Sequence, residues 1–205
     1  HSNWTSFAFN FSNHITIQTN AQGKTSIHCF DANLLVTNVI DEMANTQHFL
    51  YDSYRNRIEI KDKNNTYTRY KYDSNGNVTN KTDPRMNVTF VQYNGMNNPV
   101  RRVDASTNIT DFGYDSRGNL TTTTNALGFV STVQYDFRGL PILLTDARGF
   151  QSTNRFDSWG NLISVTDANG ATEYYSYDLV GRKIEQTIAN QTTQFVYDNN
   201  DNLLF

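Results

Sequence analysis

Apolar and polar residues alternate along short stretches of this chain, and each stretch ends on an aromatic residue. In residues 67–72, Tyr70 and Tyr72 alternate with Arg69 and Lys71. Alternation with a period of two is the pattern of a half-buried β-strand. The closing aromatic residue, called the anchor below, is followed by Asp or Asn. The pairs recur every 21 residues, with a last interval of 20: Phe9-Asn10, Phe30-Asp31, Tyr51-Asp52, Tyr72-Asp73, Tyr93-Asn94, Tyr114-Asp115, Tyr135-Asp136, Phe156-Asp157, Tyr177-Asp178 and Tyr197-Asp198.

A fixed period of this length is the signature of a repeat architecture. Each repeat contains two turn signals, and positions are counted here from the anchor as zero. The first is Asp or Asn at +1, in five copies with Gly at +4, and the second is Asp or Asn at +11, in several copies with Gly at +14, as in Asn125 and Gly128. Asp and Asn cap their own backbone in turns, and Gly accepts a positive φ. The sequence therefore predicts two antiparallel strands of six to seven residues per repeat.

The fold class predicted in this way is all-β, an antiparallel meander of about twenty short strands. The anchor and positions −2 and −4 fall on one face, which carries aromatic residues beside a row of Thr and Ser. Anchors on alternate strands are about 9.6 Å apart, too far to stack. Open sheets rarely exceed about ten strands without curling. We therefore expect the sheet to wind into a spiral or hollow tube with the aromatic face covered.

Composition narrows the possible partners. The chain has 205 residues, 37% hydrophobic and 13% aromatic, and a net charge of −3 without any Lys/Arg run. Nucleic acid is therefore not an expected partner. Cys29 is the single cysteine, so an intrachain disulfide is excluded. No apolar stretch approaches the length of a membrane span.

Catalytic, metal-binding and cofactor-binding motifs are not found in the sequence. The four histidines, His1, His14, His28 and His48, fall at different positions of the repeat and lack ligand spacing. The numerous Asp residues are explained as turn caps. We therefore expect a non-enzymatic protein without metal or cofactor.

The residues expected to hold the repeats together are the anchors and turn residues of the better-preserved copies. They are Tyr51, Asp52, Tyr72, Asp73, Gly76, Tyr93, Tyr114, Asp115, Gly118, Tyr135, Asp136, Gly139, Phe156, Asp157, Gly160, Tyr177, Asp178 and Gly181.

Several Asn-x-Ser/Thr sequons offer possible N-glycosylation sites. Three of them share position +15, just beyond the second turn, where a glycan would stand clear of the sheet. The candidates are Asn3, Asn87 and Asn108 at this position, together with Asn77 and Asn119.

The regular copies resemble a known family. The segments 114–120 (YDSRGNL), 124–128 (TNALG) and 133–136 (VQYD) are similar to the YD repeat of the Rhs family. That family comprises Rhs polymorphic toxins, the B and C components of insecticidal toxin complexes, and teneurins. The resemblance spans the chain, with degenerate copies in 1–71 and regular copies in 72–205. It implies a β-sheet strip that spirals into a hollow shell.

In toxin members of the family the shell encloses a C-terminal polypeptide payload, and in teneurins it is part of an extracellular adhesion protein. Toxin members also carry Asp-Pro-x-x-Gly motifs for self-cleavage. The one Asp-Pro here, Asp83-Pro84, lacks the Gly. Self-cleavage is therefore not expected of these residues.

The resulting hypothesis is a structural, extracellular or cell-surface protein. Residues 1–205 would form one continuous array, a segment of a longer array or a unit of an assembly. Its partners would be further YD repeats of the same or neighbouring chains, an enclosed polypeptide payload and covalent glycans. Its sheet would be the wall of a shell or of a fibre built by strand-edge stacking. The alternative is an adhesion or carbohydrate-binding module, for which Tyr93, Tyr114 and Tyr135 should be exposed in a groove.

Overall fold

The computed structural model describes residues 6–10, 14–198 and 200–204. These residues form nineteen β-strands and no helix. None of them forms a helix of the length and apolarity needed for a membrane crossing. The chain groups into two compact units, residues 1–107 and 108–205. Asn3 and His1 lie outside the described residues.

The first unit is an antiparallel meander in which each strand pairs with the next. Its strands are β1 (Ser6–Asn10), β2 (Ile15–Thr19), β3 (Thr25–Phe30), β4 (Val36–Ile40), β5 (Thr46–Tyr51), β6 (Arg57–Lys61), β7 (Tyr67–Tyr72), β8 (Val78–Thr82), β9 (Val88–Tyr93) and β10 (Pro99–Val103).

The second unit continues the same pattern of consecutive antiparallel pairs. Its strands are β11 (Ile109–Tyr114), β12 (Leu120–Thr124), β13 (Val130–Tyr135), β14 (Pro141–Thr145), β15 (Gln151–Phe156), β16 (Leu162–Thr166), β17 (Thr172–Tyr177), β18 (Lys183–Ile188) and β19 (Gln191–Gln194). The predicted all-β antiparallel meander is thereby confirmed.

The strands are shorter than the sequence predicts. From β2 to β17 they alternate between five and six residues, as in β8 (five) and β9 (six), instead of the expected six to seven. Five-residue turns account for the difference: in the turn at Asp73, for example, the Asp73 N–H donates to the Asn77 carbonyl and closes the loop beyond the glycine. The sequence-based prediction assigns this fifth residue to the strand.

The first-turn hairpins from β3–β4 to β17–β18 each contain a β-bulge, which reconciles the odd period of 21 residues with anchors on a constant face. Lys71 lies opposite Asn80, but Tyr72 lies opposite Val78, so Thr79 is an extra residue in the ladder. Directly opposite residues share a face. Without the extra residue, equivalent positions in successive repeats would alternate between faces. The bulge therefore keeps every anchor on the same side of its unit.

The register is also sheared by a constant amount. Asn80 lies opposite Phe90, which is two residues short of Gln92, the residue equivalent to Lys71. In the second unit, Gln134 lies opposite Leu143, and Leu143 lies opposite Thr153. Thr153 is again two residues short of Arg155, the residue equivalent to Gln134. At about 3.4 Å per residue, each repeat is offset by about 7 Å along the strand direction.

The final interval of 20 residues has a local cause. The hairpin between β18 and β19 has a two-residue turn, Ala189-Asn190, in which both residues have positive φ, 48° and 66°. This is the geometry of a type I′ turn, which joins adjacent strands most tightly. The pairing of β18 with β19 is offset by the same single residue that this repeat lacks. Tyr197 therefore occupies the position equivalent to that of the other anchors.

The two faces differ in exposure as the alternation predicts. In β7, the anchor-side residues Thr68, Tyr70 and Tyr72 are half-buried, whereas Arg69 and Lys71 are exposed. Among the described residues only Ser164 is fully buried, with 5% of its surface exposed. Each unit is therefore a single-layered sheet without a conventional core, and the described residues supply no second layer over the aromatic face.

One pair of successive anchors contradicts the predicted spacing. The rings of Phe9 and Phe30 lie 6.2 Å apart and are inclined by 59°. Both anchors are Phe, so neither has a hydroxyl group to tie its ring to a backbone carbonyl. The two rings therefore lean together across the strand between them.

Candidate functional site

The first turn of each repeat is built around the carboxylate of its Asp. In the turn at Asp73, Oδ1 accepts hydrogen bonds from the backbone N–H groups of Asn75 and Asn77, both at 2.9 Å. The Gly76 N–H donates to the Asp73 carbonyl at 3.2 Å. Asp52, Asp115, Asp136, Asp157 and Asp178 make the equivalent pair of Oδ1 contacts.

The turn glycines occupy the left-handed region as predicted. Gly76, Gly118, Gly139, Gly160 and Gly181 have φ between 83° and 92°. The same conformation persists where glycine is absent, since Leu34 has φ 63° and Arg55 has φ 69°. The copies that look degenerate in sequence therefore form the same turn, with a less favourable residue at its fourth position.

The sequence analysis missed the residue at +5, which completes the turn. This residue is Asn in six first turns, and in the five of them that Asp caps, the Asn side-chain amide donates to Oδ2 of that Asp. For Asn77 and Asp73 the distance is 3.0 Å, and for Asn119 and Asp115 it is 2.9 Å. The signal was present as a second recurring letter: Asn56, Asn77, Asn119, Asn161 and Asn202.

These hydrogen bonds shift the acidity of the turn carboxylates. The pKa of Asp73 lies below its usual value, first because the Asn77 side chain donates to it and then because backbone N–H groups do. For Asp136, Asp157 and Asp178, partial desolvation is the largest influence and raises the pKa, but the hydrogen bonds together outweigh it and the pKa is lowered. The folded turns therefore favour the charged carboxylates.

The sheet should consequently lose stability in acid. A carboxylate whose folded pKa is depressed contributes stability above its unfolded pKa, about 4, and loses it as pH falls through the folded value. We expect the urea midpoint to stay constant from neutral pH to about pH 5 and to fall below about pH 4. Urea titrations at a series of pH values check this.

The matched variant for this test is the pair Asp73→Asn and Asp115→Asn. Asn94 already caps its turn with the same two backbone contacts, from Met96 and Asn98. The double variant should therefore fold and lose less stability on acidification than the wild type. A wild-type midpoint that is unchanged down to about pH 2.5 would contradict the assignment.

The anchor tyrosines link consecutive repeats. The hydroxyl of Tyr72 donates at 2.8 Å to the carbonyl of Arg57, the first residue of the strand that precedes its own. Five other anchors make the same bond: Tyr51 to Val36 (3.0 Å), Tyr93 to Val78 (3.1 Å), Tyr135 to Leu120 (2.8 Å), Tyr177 to Leu162 (2.9 Å) and Tyr197 to Lys183 (2.8 Å). Tyr114 is half-buried like its equivalents.

In the repeat of Phe156, another residue makes the equivalent hydrogen bond. Phe156 has no hydroxyl, and the carbonyl equivalent to those above is that of Pro141. Asn154, two residues before the anchor on the same face, donates its side-chain amide to this carbonyl at 2.9 Å. The contact is therefore preserved although the residue that makes it has changed.

Neighbouring first turns are joined at their tips by polar side chains. Arg138, at +3 of its repeat, donates to the carbonyl of Asp157 in the next repeat at 2.6 Å. In the first unit, Asn97 Oδ1 accepts from Asn75 at 3.1 Å and from Asn77 at 2.8 Å. These contacts fix the spacing between consecutive turns.

The proposed glycosylation sites differ in accessibility. Asn77 and Asn119 are half-buried, and their amide nitrogens donate to the turn carboxylates. Asn87 and Asn108 are exposed, and the Asn87 amide donates to Asp83 at 2.9 Å. Asn87 and Asn108 are thus the better placed of the described candidates, and their glycosylation remains a prediction.

The anchor face contains one polar network instead of the usual Thr and aromatic side chains. The hydroxyl of Tyr175 donates to Glu173 at 2.7 Å, and Gln186 donates to the same carboxylate at 3.2 Å. The hydrogen bond to Glu173 is the main reason that the pKa of Tyr175 rises to about 12. The Lys183 ammonium lies 4.6 Å from the centre of the Phe195 ring. Every charged group in this network has a partner, which marks it as structural.

No cluster of side chains suited to metal binding appears in the part of the chain that the structure describes. Groups of three or more His, Cys, Asp or Glu side chains are not found there. Cys29 is a free, half-buried thiol. Open clefts lie between consecutive first turns, for example about 550 Å³ beside Trp159 and Leu179. What recurs through both units is the capped turn and the tyrosine link.

Comparison with known proteins agrees with this geometry. The family model for the Teneurin YD-shell matches residues 10–202. The chain belongs to the Teneurin YD-shell family. The matched residues include the anchors from Phe30 to Tyr197 and their turn residues. A search of curated proteins finds no significant match.

Solved structures share the fold of this YD-shell chain. The crystal structure of TcdB2-TccC3-Cdc42 aligns with 98% of the chain at 13% identity and a TM-score of 0.67. That of TcdB2-TccC3 without its hypervariable C-terminal region aligns with 99% at 14% identity and a TM-score of 0.65. The chain covers only 12% and 14% of those chains. The likeness therefore concerns the fold of a small part of much longer proteins.

Proposed function

We propose that this chain is a non-catalytic wall segment of a hollow YD-repeat shell, with its anchor face directed toward the interior. The observation that carries the proposal is the single-layered sheet. Among the described residues only Ser164 is fully buried, so the units are held together by strand ladders, capped turns and tyrosine links. Because each repeat contacts only its neighbours, such a sheet can be extended by adding repeats, as the wall of a shell requires.

The sheared register supports the winding of such a wall. Closing a sheet around an axis requires a regular stagger between neighbouring strands. Both units have the same offset of two residues per repeat. The greater shielding of the anchor side, as in β7 and β15, supports its placement on the inside.

The partners follow from this role. Further YD repeats, of the same or of a neighbouring chain, would complete the shell, and the enclosed space would hold a polypeptide payload. The chain would work outside the cell or at its surface. Exposed Asn87 would carry a glycan where the source cells perform N-glycosylation.

Thiol labelling of the native particle tests both the closure of the shell and its orientation. In a Cys29→Ser background, Thr89→Cys places a thiol on the anchor face of β9, and Gln92→Cys places one on the opposite face. A small maleimide should label both variants. A maleimide coupled to a large polymer should label only Gln92→Cys, because the polymer cannot enter a closed shell.

The other outcomes are equally informative. Equal polymer labelling of both variants would indicate an open ribbon or a fibre and would overturn the proposal. Polymer labelling confined to Thr89→Cys would reverse the orientation. Electron micrographs of the same preparation should show hollow particles.

The alternative of a binding module that uses the anchor aromatics receives less support. Tyr93 and Tyr135 are half-buried, and their hydroxyls are engaged with the carbonyls of Val78 and Leu120. Side chains used in this way link repeats and leave little aromatic surface for a ligand. The criterion set by the sequence, exposed anchors in a groove, is therefore not met.

A further inference from the structure

Three Asn-Gly dipeptides occur in the chain: Asn75-Gly76, Asn94-Gly95 and Asn169-Gly170. In such a pair the backbone nitrogen of glycine can attack the side-chain carbonyl carbon of asparagine, because glycine has no Cβ to obstruct the approach. The product is a five-membered succinimide ring. The three sites differ in how the fold holds the two reacting groups.

The attacking nitrogen is restrained at two of the sites. The Gly76 N–H donates to the Asp73 carbonyl at 3.2 Å, and the Gly170 N–H donates to the Asp167 carbonyl at 3.0 Å. The Gly95 N–H, by contrast, has no acceptor among the described residues, and Gly95 is exposed. Only this glycine nitrogen is therefore free to react without breaking a turn hydrogen bond.

The group under attack is activated at the same site. Oδ1 of Asn94 accepts backbone N–H bonds from Met96 at 2.9 Å and from Asn98 at 3.0 Å. Two donors on a carbonyl oxygen stabilise the negative charge that develops there when a nucleophile adds to the carbon. At Asn75, the amide nitrogen is instead tied to Asn97 at 3.1 Å. The turn thus places an activated electrophile beside a free nucleophile at Asn94.

We propose that Asn94 is a site of spontaneous conversion to aspartate. A solvent base removes the Gly95 amide proton, the nitrogen bonds to Cγ of Asn94, and the Cγ–Nδ2 bond breaks. The Nδ2 group takes a proton from water and leaves as ammonia. Water then opens the succinimide, giving aspartate by attack at Cγ or isoaspartate by attack at the backbone carbonyl.

The two products have opposite consequences for the turn. Aspartate is the residue that most other repeats carry at this position, and its carboxylate can accept the same bonds from Met96 and Asn98. Isoaspartate inserts an additional carbon into the main chain of a five-residue turn. It would displace Asn97, whose N–H donates to the Asn94 carbonyl and whose side chain accepts from Asn77. Ageing would therefore yield one population with an intact turn and one with a broken link between repeats.

Peptide mapping of the aged protein tests the proposal, because trypsin separates the three sites into peptides 72–81, 86–101 and 156–182. After incubation of the folded protein at mildly alkaline pH, deamidation should accumulate in 86–101 well before the other two. In urea, where the fold is lost, the three peptides should react at similar rates. Faster reaction of 72–81 or 156–182 in the folded protein, or equal rates in both states, would overturn the proposal.

A single substitution localises the reaction. Gly95→Ser introduces the residue found at this position in the repeats of Asp52 and Asp73, and a Cβ at Gly95 meets no atom within 4 Å. The variant should melt like the wild type and lose the deamidation in 86–101. Persistent deamidation would place the reaction at another asparagine of the peptide and would refute the assignment. Asn94→Asp, which mimics the intact product, should retain the wild-type melting temperature.

Discussion

Gly118→Val is expected to lower the free energy of unfolding by about 1–3 kcal/mol. Gly118 has φ 87°, a conformation that crowds any Cβ and is worst for a β-branched residue. Its N–H also closes the turn by donating to the Asp115 carbonyl at 3.1 Å. Urea denaturation followed by circular dichroism measures the change.

Gly95→Val is the matched control. Gly95 lies at another position of an equivalent turn, outside the left-handed region, with open space around its Cα. The control should change stability by less than about 0.5 kcal/mol. If both valine variants lose the same stability, backbone strain is not the cause and the assignment of the turn is wrong.

The second large effect is expected at the repeat whose anchor is Phe156. Asn154→Val removes the amide that donates to the Pro141 carbonyl and substitutes the residue found at the equivalent position of the previous repeat, Val133. We expect a loss of about 1 kcal/mol, because a half-buried carbonyl loses its side-chain donor.

Adding Phe156→Tyr should restore the stability of Asn154→Val. The double variant reproduces the arrangement of the previous repeat, in which Tyr135 donates to the Leu120 carbonyl at 2.8 Å. Phe156→Tyr alone should gain little, since Asn154 already occupies the carbonyl. A double-mutant cycle measures this coupling, and a double variant no more stable than Asn154→Val would show that the two donors are not interchangeable.

The sequence was sufficient to predict the fold class, the two hairpins per repeat and the polarity of the faces. These features arise from local chemistry, since Asp and Gly define the turns and alternation defines the faces. Leu34 and Arg55 stand where the regular copies have the turn glycine. Their φ values are nevertheless left-handed, because the capping Asp and the flanking strands outweigh the preference of the side chain.

Contacts between repeats could not be predicted in this way. The bulge at Thr79 and the bond from Tyr72 to Arg57 depend on the register of paired strands, which a list of turn residues does not specify. Asn77 stands among the glycan candidates of the sequence, although its amide completes the turn of Asp73. The contact between Phe9 and Phe30 likewise depends on the pairing of β1 and β3 with β2.

The extra residue in the first-turn hairpins from β3–β4 to β17–β18 limits how a gene for such a protein can change in length. Removing one residue from a strand would reverse the orientation of all later side chains and would bring Arg, Lys and Gln to the side occupied by tyrosine. Removing or duplicating a whole repeat leaves the orientation intact. The tight turn at Ala189-Asn190 shows a second permitted change. There the repeat has one residue fewer in its loop, and the pairing of the two flanking strands shifts to compensate. Among homologous genes, we expect insertions and deletions to occur in whole repeats or at the loops, and to be rare within strands.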